Sequence, residues 1–347
     1  MTSLFRRITT IATGLYSLGA VVYLLLRLIF GDGFWWLSLV NTFAYLVFAP
    51  LLVLIPASLL ARSRLAAFRL TPFAAIALLW FGPYYWPKPV TISTSTPLHV
   101  LTLNVWGNNH HLEGIESWVR STDADLVLLQ EISPAYANDG LANLRDRYPY
   151  QSIQPDPSRW GGNFTLSRYP ILEESYVDLH TPGTPAPLRL VLDVGGQRVA
   201  VYNVHLAFPV GEQHVNLPFP IDSFYMRVML GFDDRVRNQQ IAELTTYLKT
   251  EPYPFIVAGD FNTSDQSATY GRLARVMRDS FREAGRGLGG SWPVSTARGL
   301  PAFLPPLIRI DYIWHSADFQ TVAAWQDAPV GSDHLPLHAL LTLRDAG

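Results

Sequence analysis

Eight polar residues stand where apolar runs end: Asn104, Glu131, His205, Asp260, Asn262, Asp311, Asp333 and His334. The most informative stretch is Phe255-Ile256-Val257-Ala258-Gly259-Asp260-Phe261-Asn262, a short buried strand that stops at a glycine and delivers an aspartate and an asparagine two residues apart. An anionic acceptor and a neutral amide donor then face one pocket. That pairing suits a reaction that must position a nucleophile and also stabilise charge developing on a substrate oxygen. Taken alone, Gly-Asp-Phe-Asn would serve equally as a turn. The other residues have equally plain uses, Asn104 as a turn cap, His205 as a satisfied strand histidine and Asp333 as the cap of a bend. All eight together, at strand ends or in the loop just after, match the place where α/β architectures build their sites.

The elements that must position them follow from periodicity. Residues 98–104 and 125–131 read as strands, the second buried throughout, with Leu112 to Arg120 as a helix between them whose apolar positions Leu112, Ile115 and Val119 share a face. Tyr136 to Tyr148 is predicted as helix and 163–167 as a strand ahead of the Tyr169-Pro170 turn. Leu188 to Val194 and Arg198 to His205 pair across Gly195-Gly196 as a hairpin. An insertion rich in Phe, Leu, Met and Pro, without clean period, fills 206–232. Arg235 to Lys249 is a helix with Arg237 and Gln240 on the same face as Ile241, Leu244 and Leu248, so both polar side chains are expected to turn toward the body of the domain. Ser264 is expected to cap a helix running toward Met277. A loop-rich stretch, 285–306, precedes strands at 308–314 and 319–325, and Leu335 to Leu343 closes the sheet. His110 and His111 are expected at the surface of a loop tip.

Composition divides the 347 residues unequally. The first 87 are mostly apolar, with six arginines and one acid, Asp32; beyond them lie 20 basic and 27 acidic side chains, a net of −7. An acidic domain gains little from the phosphate attraction behind unspecific nucleic-acid binding. The absence of cysteine excludes disulfides and thiol chemistry. Apolar runs at 8–30, 34–60 and 65–86 predict about three membrane-spanning helices in a region covering 1–87, with Gly31-Asp32-Gly33 as a tight turn and 88–97 as an extended linker. Arg6, Arg7, Arg62, Arg64 and Arg69 place their ends in the cytoplasm, and Trp35, Trp36, Trp80, Tyr84, Tyr85 and Trp86 form an aromatic belt opposite. The expected localisation is the cytoplasmic membrane, multi-pass, with residues 98–347 on the outer side.

In this second part the sequence resembles the endonuclease/exonuclease/phosphatase superfamily. The resemblance rests on Leu103-Asn104-Val105, Gln130-Glu131, Leu166-Ser167-Arg168-Tyr169-Pro170, Asn203-Val204-His205, Gly259-Asp260-Phe261-Asn262, Arg309-Ile310-Asp311-Tyr312-Ile313 and Ser332-Asp333-His334-Leu335-Pro336-Leu337, in that order. It implies a two-sheet α/β sandwich flanked by helices, with a divalent metal, Mg²⁺ or Mn²⁺, at one edge. By the same resemblance Glu131 is the principal metal ligand, with Asn104 and Asp333. His334 acts on the attacking water with Asp311 fixing its ring, Asp260 orients the nucleophile, and Asn262 with His205 donates to phosphoryl oxygens. Water attacking a phosphodiester approaches a centre ringed by negative oxygens, so a cation, hard oxygen ligands and neutral or positive donors are what the chemistry needs. One departure is Trp106, which stands where abasic-site endonucleases carry a second acid. The functional expectation is a membrane-tethered phosphodiesterase or phosphatase acting on a lipid head group or a nucleic acid, with no protein partner. A non-catalytic binding domain is the alternative from another class. The apolar segments Phe208 to Phe232 and Leu300 to Leu307 are expected to border the pocket.

Overall fold

The computed structural model describes residues 2–88, 96–107, 109, 112–133, 136, 141–154, 161–181, 185–211 and 224–344. It divides into two compact units, Met1–Trp86 with Gln266–Ala268, and Pro87–Asp265 with Thr269–Gly347. Most of the expected linker, and both His110 and His111, lie outside the described residues.

The first unit is helical: α1 (Thr2–Phe30), α2 (Trp35–Thr42), α3 (Ala44–Phe48), α4 (Leu51–Leu60) and α5 (Arg64–Phe81). Two helices, Ser3–Phe30 and Arg64–Tyr84, are long and apolar enough to cross a membrane. The second apolar run is not one straight helix. Phe43 leaves the helical region, at φ −110° and ψ 31°, and the two halves of the run are bent by 75°. Ala20, Phe48, Leu51, Leu70 and Phe73 form the shared core. Arg69 Nη1 donates to the Thr10 carbonyl at 3.2 Å where α1 begins, and the Arg27 guanidinium lies 4.6 Å above the Trp80 ring where α1 ends, so α1 and α5 run side by side.

The second unit is a sandwich of two six-stranded sheets. Its strands are β1 (Leu98–Asn104), β2 (Leu126–Ile132), β3 (Tyr150–Gln154), β4 (Gly162–Ser167), β5 (Ile171–Tyr176), β6 (Leu188–Val194), β7 (Gln197–His205), β8 (Phe255–Asp260), β9 (Arg278–Asp279), β10 (Asp311–His315), β11 (Phe319–Gln326) and β12 (Leu337–Leu343). One sheet has the order β11-β12-β1-β2-β4-β3, the other β5-β6-β7-β8-β10-β9. Each sheet contains a parallel pair, β1/β2 or β7/β8, among antiparallel neighbours. A parallel pair needs a crossover, and helices supply both. Helix α6 (Leu112–Ser121) joins β1 to β2, and the helix Arg235–Leu248 joins β7 to β8.

Strand alternation then sorts the side chains. Val100, Leu128, Val201, Ile256, Ala258 and Ile313 meet between the sheets, while Leu101, Leu103 and Val127 pack outward with Ile115 and Val119 of α6. On the other outer face Tyr202, Val204 and Val257 pack with Ile241, Leu244 and Leu248. Following the inward positions toward one rim leads from these aliphatics to Asn203 and His205 on β7, Asp260 on β8 and Asn104 on β1. A polar layer starts the change: Gln130 Nε2 donates to Asn203 Oδ1 at 2.8 Å, and Asn203 Nδ2 donates to the Leu129 and Phe164 carbonyls at 3.1 and 3.0 Å.

Several sequence expectations are corrected here. Strands β3, β5 and β9 carry no reading at the sequence level. The strand expected from Ile308 begins at Asp311, Ile308 making only an isolated bridge to Trp292. The described part of 136–148 holds a 3₁₀ turn, Leu141–Leu144, and residues 137–140 lie outside it. The helix expected after Ser264 is Ala268–Leu273, so Ser264 stands too far ahead to cap it. Within the insertion, Phe224–Leu230 is helical, and residues 212–223 lie outside the described residues.

Candidate active site

Register builds the first half of the site. In β7, β8 and β10, His205 is opposite Asp260 and Asp260 is opposite Asp311, so three titratable side chains form one row across the rim. The close pairing needs a glycine beside it. Gly259 has φ +141°, and a Cβ there would lie 1.9 Å from the Val204 carbonyl oxygen of the neighbouring strand.

The other sheet supplies the second half. Asn104 Nδ2 donates both to Asp260 Oδ2 at 3.0 Å and to Glu131 Oε1 at 2.9 Å, tying the two sheets together. Glu131 reaches the pocket against the alternation of β2, in which its neighbours Leu129 and Ile132 pack on the outer face. A register shift between Leu129 and Ile132, with Glu131 at φ 60°, re-aims the side chain. Gly161 (φ +69°) allows this, since a Cβ there would come within 2.6 Å of the Ile132 carbonyl. Glu131 Oε2 accepts from Gly107 N at 2.7 Å, and Oε1 lies 3.6 Å from His205 Nε2.

His334 closes the pocket from the loop ahead of β12. Ser332 Oγ donates to the Asn104 carbonyl at 2.6 Å and accepts from His334 N at 3.0 Å, which pins that loop to β1. His334 Nδ1 is 2.9 Å from Asp311 Oδ2, and Nε2 is 3.8 Å from Asp260 Oδ2. Burial alone would lower the His334 pKa, but Asp311, Asp333 and Asp260 outweigh it and raise it to about 10, so the ring is an imidazolium. Asp260 moves up too, to about 6, by burial and by the charge of Asp311.

Asn262, at φ 49°, donates its backbone N–H to Asp260 Oδ1 at 2.8 Å and its Nδ2 to the Leu206 carbonyl at 2.9 Å. Its own carbonyl accepts from Arg237 Nη1 at 2.5 Å, and Gln240 Oε1 accepts from Ala207 N at 2.8 Å. The inward face of the helix Arg235–Leu248 therefore holds the two loops that follow β7 and β8.

Asp333 is fixed by residues that sequence reasoning passed over. Its Oδ2 accepts from Arg298 Nε at 2.7 Å and Trp292 Nε1 at 3.0 Å, while Oδ1 lies 3.9 Å from His334 Nε2. The Arg298 guanidinium also stands 5.0 Å over the Trp106 ring, walling that side of the pocket. Neither Arg298 nor Trp292 has periodic neighbours, so only the loop's proximity to Asp311 in the sequence pointed to them.

With this arrangement in hand, comparison with known proteins is decisive. The Endonuclease/Exonuclease/phosphatase family model matches residues 101–334. The chain belongs to this family. Solved structures share the fold: an endonuclease/exonuclease/phosphatase from Bacteroides vulgatus is 19% identical, with a TM-score of 0.54, and the match covers 72% of this chain and 100% of that one. A family protein from Beutenbergia cavernae is 21% identical with a TM-score of 0.52, covering 72% of each chain. A humanised D. rerio TDP2 is 19% identical with a TM-score of 0.55, covering 72% and 100%. No match was found among curated proteins.

The acceptors of this family site suit a hard cation. Asp260 and Asp311, beside the His334 ring, bring carboxylate oxygens within 4.8 Å of each other. Asp311 Oδ1 and Asp333 Oδ1 are buried and accept no hydrogen bond, an arrangement costly without a cation or donor to face them. Glu131 and Asn104 complete the pocket from the opposite sheet.

Proposed function

We propose that the chain is a divalent-metal-dependent phosphoester hydrolase whose domain, 98–347, is tethered by 88–97 to a membrane-spanning region, 1–87. The observation that carries this reading is the row His205–Asp260–Asp311, completed from the other sheet and the following loop by Asn104, Glu131 and His334. A bound Mg²⁺ or Mn²⁺ would be held by Glu131, Asn104 and Asp333, and would neutralise charge on the phosphoryl oxygens.

The protein's own groups divide the remaining work. Asp260, its carboxylate held by Asn104 and the Asn262 N–H, orients the attacking water and receives its proton. His334, kept charged and in place by Asp311, presents Nε2–H to the phosphoryl group as negative charge accumulates there. His205 and Asn262 flank the same space as further donors. His205 Nδ1 is buried without a hydrogen-bond partner, and Nε2 lies 3.6 Å from Glu131 Oε1.

For the substrate, a lipid head-group phosphoester is favoured by the run Leu300-Pro301-Ala302-Phe303-Leu304-Pro305-Pro306-Leu307, in which Phe303 is 83% exposed, beside the loop that holds Asp333. Extracellular DNA or RNA is the alternative, weakened by the −7 charge of residues 88–347. Hydrolysis of bis-p-nitrophenyl phosphate that requires Mg²⁺, stops with chelator and disappears in Asp260→Asn tests the chemistry. Metal-independent hydrolysis would remove the metal, and intact activity in Asp260→Asn would remove the assigned residue. Comparing phospholipid vesicles with plasmid DNA as substrates divides the two classes.

A further inference from the structure

The helical unit carries a second set of charges that catalysis does not use. Five of its six arginines, Arg6, Arg7, Arg62, Arg64 and Arg69, belong to the start of α1, the α4–α5 connection and the first two turns of α5. These segments meet. Thr10 Oγ1 is 3.3 Å from Ser63 Oγ, and Arg69 Nη1 donates to the Thr10 carbonyl at 3.2 Å. Arg6 lies one helical turn before Thr10 on the same face of α1, so it projects beyond this contact rather than away from it. Arg62 and Arg64 flank Ser63 and are exposed.

No acid balances the group within this unit. Its single acid, Asp32, accepts from Asn41 Nδ2 at 2.6 Å in the turn between α1 and α2, at the other end of α1. The amino end of the 18-residue α5 adds positive potential at the same place, because Ser63 is its cap, accepting from Ala66 N at 3.3 Å. Gly14 makes the seat for Arg69: a Cβ there would lie 3.3 Å from Arg69 Nη1. Arg69 is thus held against α1 beside Thr10, and Arg6, Arg62 and Arg64 belong to the segments that meet there.

From this geometry we infer a phosphate-binding site at the α1/α4–α5 end of the helical unit, with Arg69 as its floor and the exposed Arg62, Arg64 and Arg6 as its rim. The ligand chemistry is a phosphate monoanion or diester, supplied by an anionic phospholipid head group or by phosphate in solution. The site uses none of the residues of the hydrolytic rim and does not depend on its activity.

Native mass spectrometry of the full chain in detergent, with equal amounts of phosphatidylglycerol and phosphatidylcholine, tests it. The expected result is selective retention of phosphatidylglycerol, weakened by about fivefold for each arginine removed in Arg62→Gln and Arg64→Gln. The double variant keeps Arg69 and the α1–α5 packing, so its result does not depend on surviving a core change. Arg235→Gln, at an exposed arginine of the other unit, is the control and should leave retention unchanged. If inorganic phosphate binds and displaces the lipid, the inference stands with a soluble source as well. Equal retention of both lipids together with no phosphate binding overturns it, as does undiminished retention in the double variant.

Discussion

Asp260 is the residue at which activity and stability should part. Its carboxylate is buried beside Asp311, and its pKa is raised to about 6, so ionising it at neutral pH costs folding free energy. Asp260→Asn relieves that cost while removing the proton acceptor. The expected outcome is a fall in kcat of about 100- to 10,000-fold with a melting temperature, measured with chelator present, that is unchanged or higher. A large fall in melting temperature would show that the carboxylate is structural. His338 gives a pH prediction away from the site. Its ring stacks on Trp325 at 4.9 Å, lies 3.0 Å from His99, and is lowered to about 4, first by burial. His99 is lowered as well, also by burial. Neutral in the fold, both rings gain protons in the unfolded chain below about pH 6.5, so stability falls as pH drops from there toward 4. Thermal melting followed by tryptophan fluorescence at pH 7 and pH 4.5 should show that fall, and His338→Phe, which keeps a ring against Trp325, should reduce it.

At the level of elements, the rim depends on two close approaches that only glycine permits. Gly259→Ala would drive a methyl into the Val204 carbonyl and separate β7 from β8 at the row of titratable groups. A loss of about 3 kcal/mol or more is expected by denaturation, with hydrolysis lost in parallel. Gly161→Ala should act differently, disturbing the Glu131 bulge at the end of β2. There the readout is a weakened Mn²⁺ affinity by calorimetry, about tenfold, together with a lower melting temperature, because a Cβ would lie 2.6 to 2.7 Å from backbone atoms of Glu131 and Ile132. The sequence made the central strands legible because β2 and β8 are buried on both faces and read as continuous apolar runs. Strand β5 escaped because it is an edge strand with Leu172, Glu173 and Glu174 exposed, and β3 escaped with just one fully buried residue, Ser152. The candidate site residues were visible as polar ends of those central runs. What placed them was not: a bulge turns Glu131 inward, and Arg298 and Trp292 reach Asp333 from a loop without period.

The whole molecule couples an acidic hydrolase-family domain to helices apolar enough to cross a membrane, and charge asymmetry within the helices argues for an orientation. Five arginines collect at one end of α1 and α5, whereas Asp32, Trp35, Trp36 and Trp80 belong to the other. Translocating the arginine end costs more than retaining it, so the expected orientation keeps that end in the cytoplasm. Because α1 and α5 run parallel, the bent pair between them has to recross the membrane if both helices span it, and the expected result is three passes with the chain beyond Trp86 emerging outside. The native chain has no cysteine, which makes this orientation measurable with single introduced thiols. In intact cells a membrane-impermeant maleimide is expected to label Glu174→Cys, exposed on β5, and to leave Arg64→Cys unlabelled until the membrane is opened. Labelling of neither thiol in intact cells would instead place the domain on the inner side, overturning this orientation, and would remove extracellular nucleic acids from the substrates available to it.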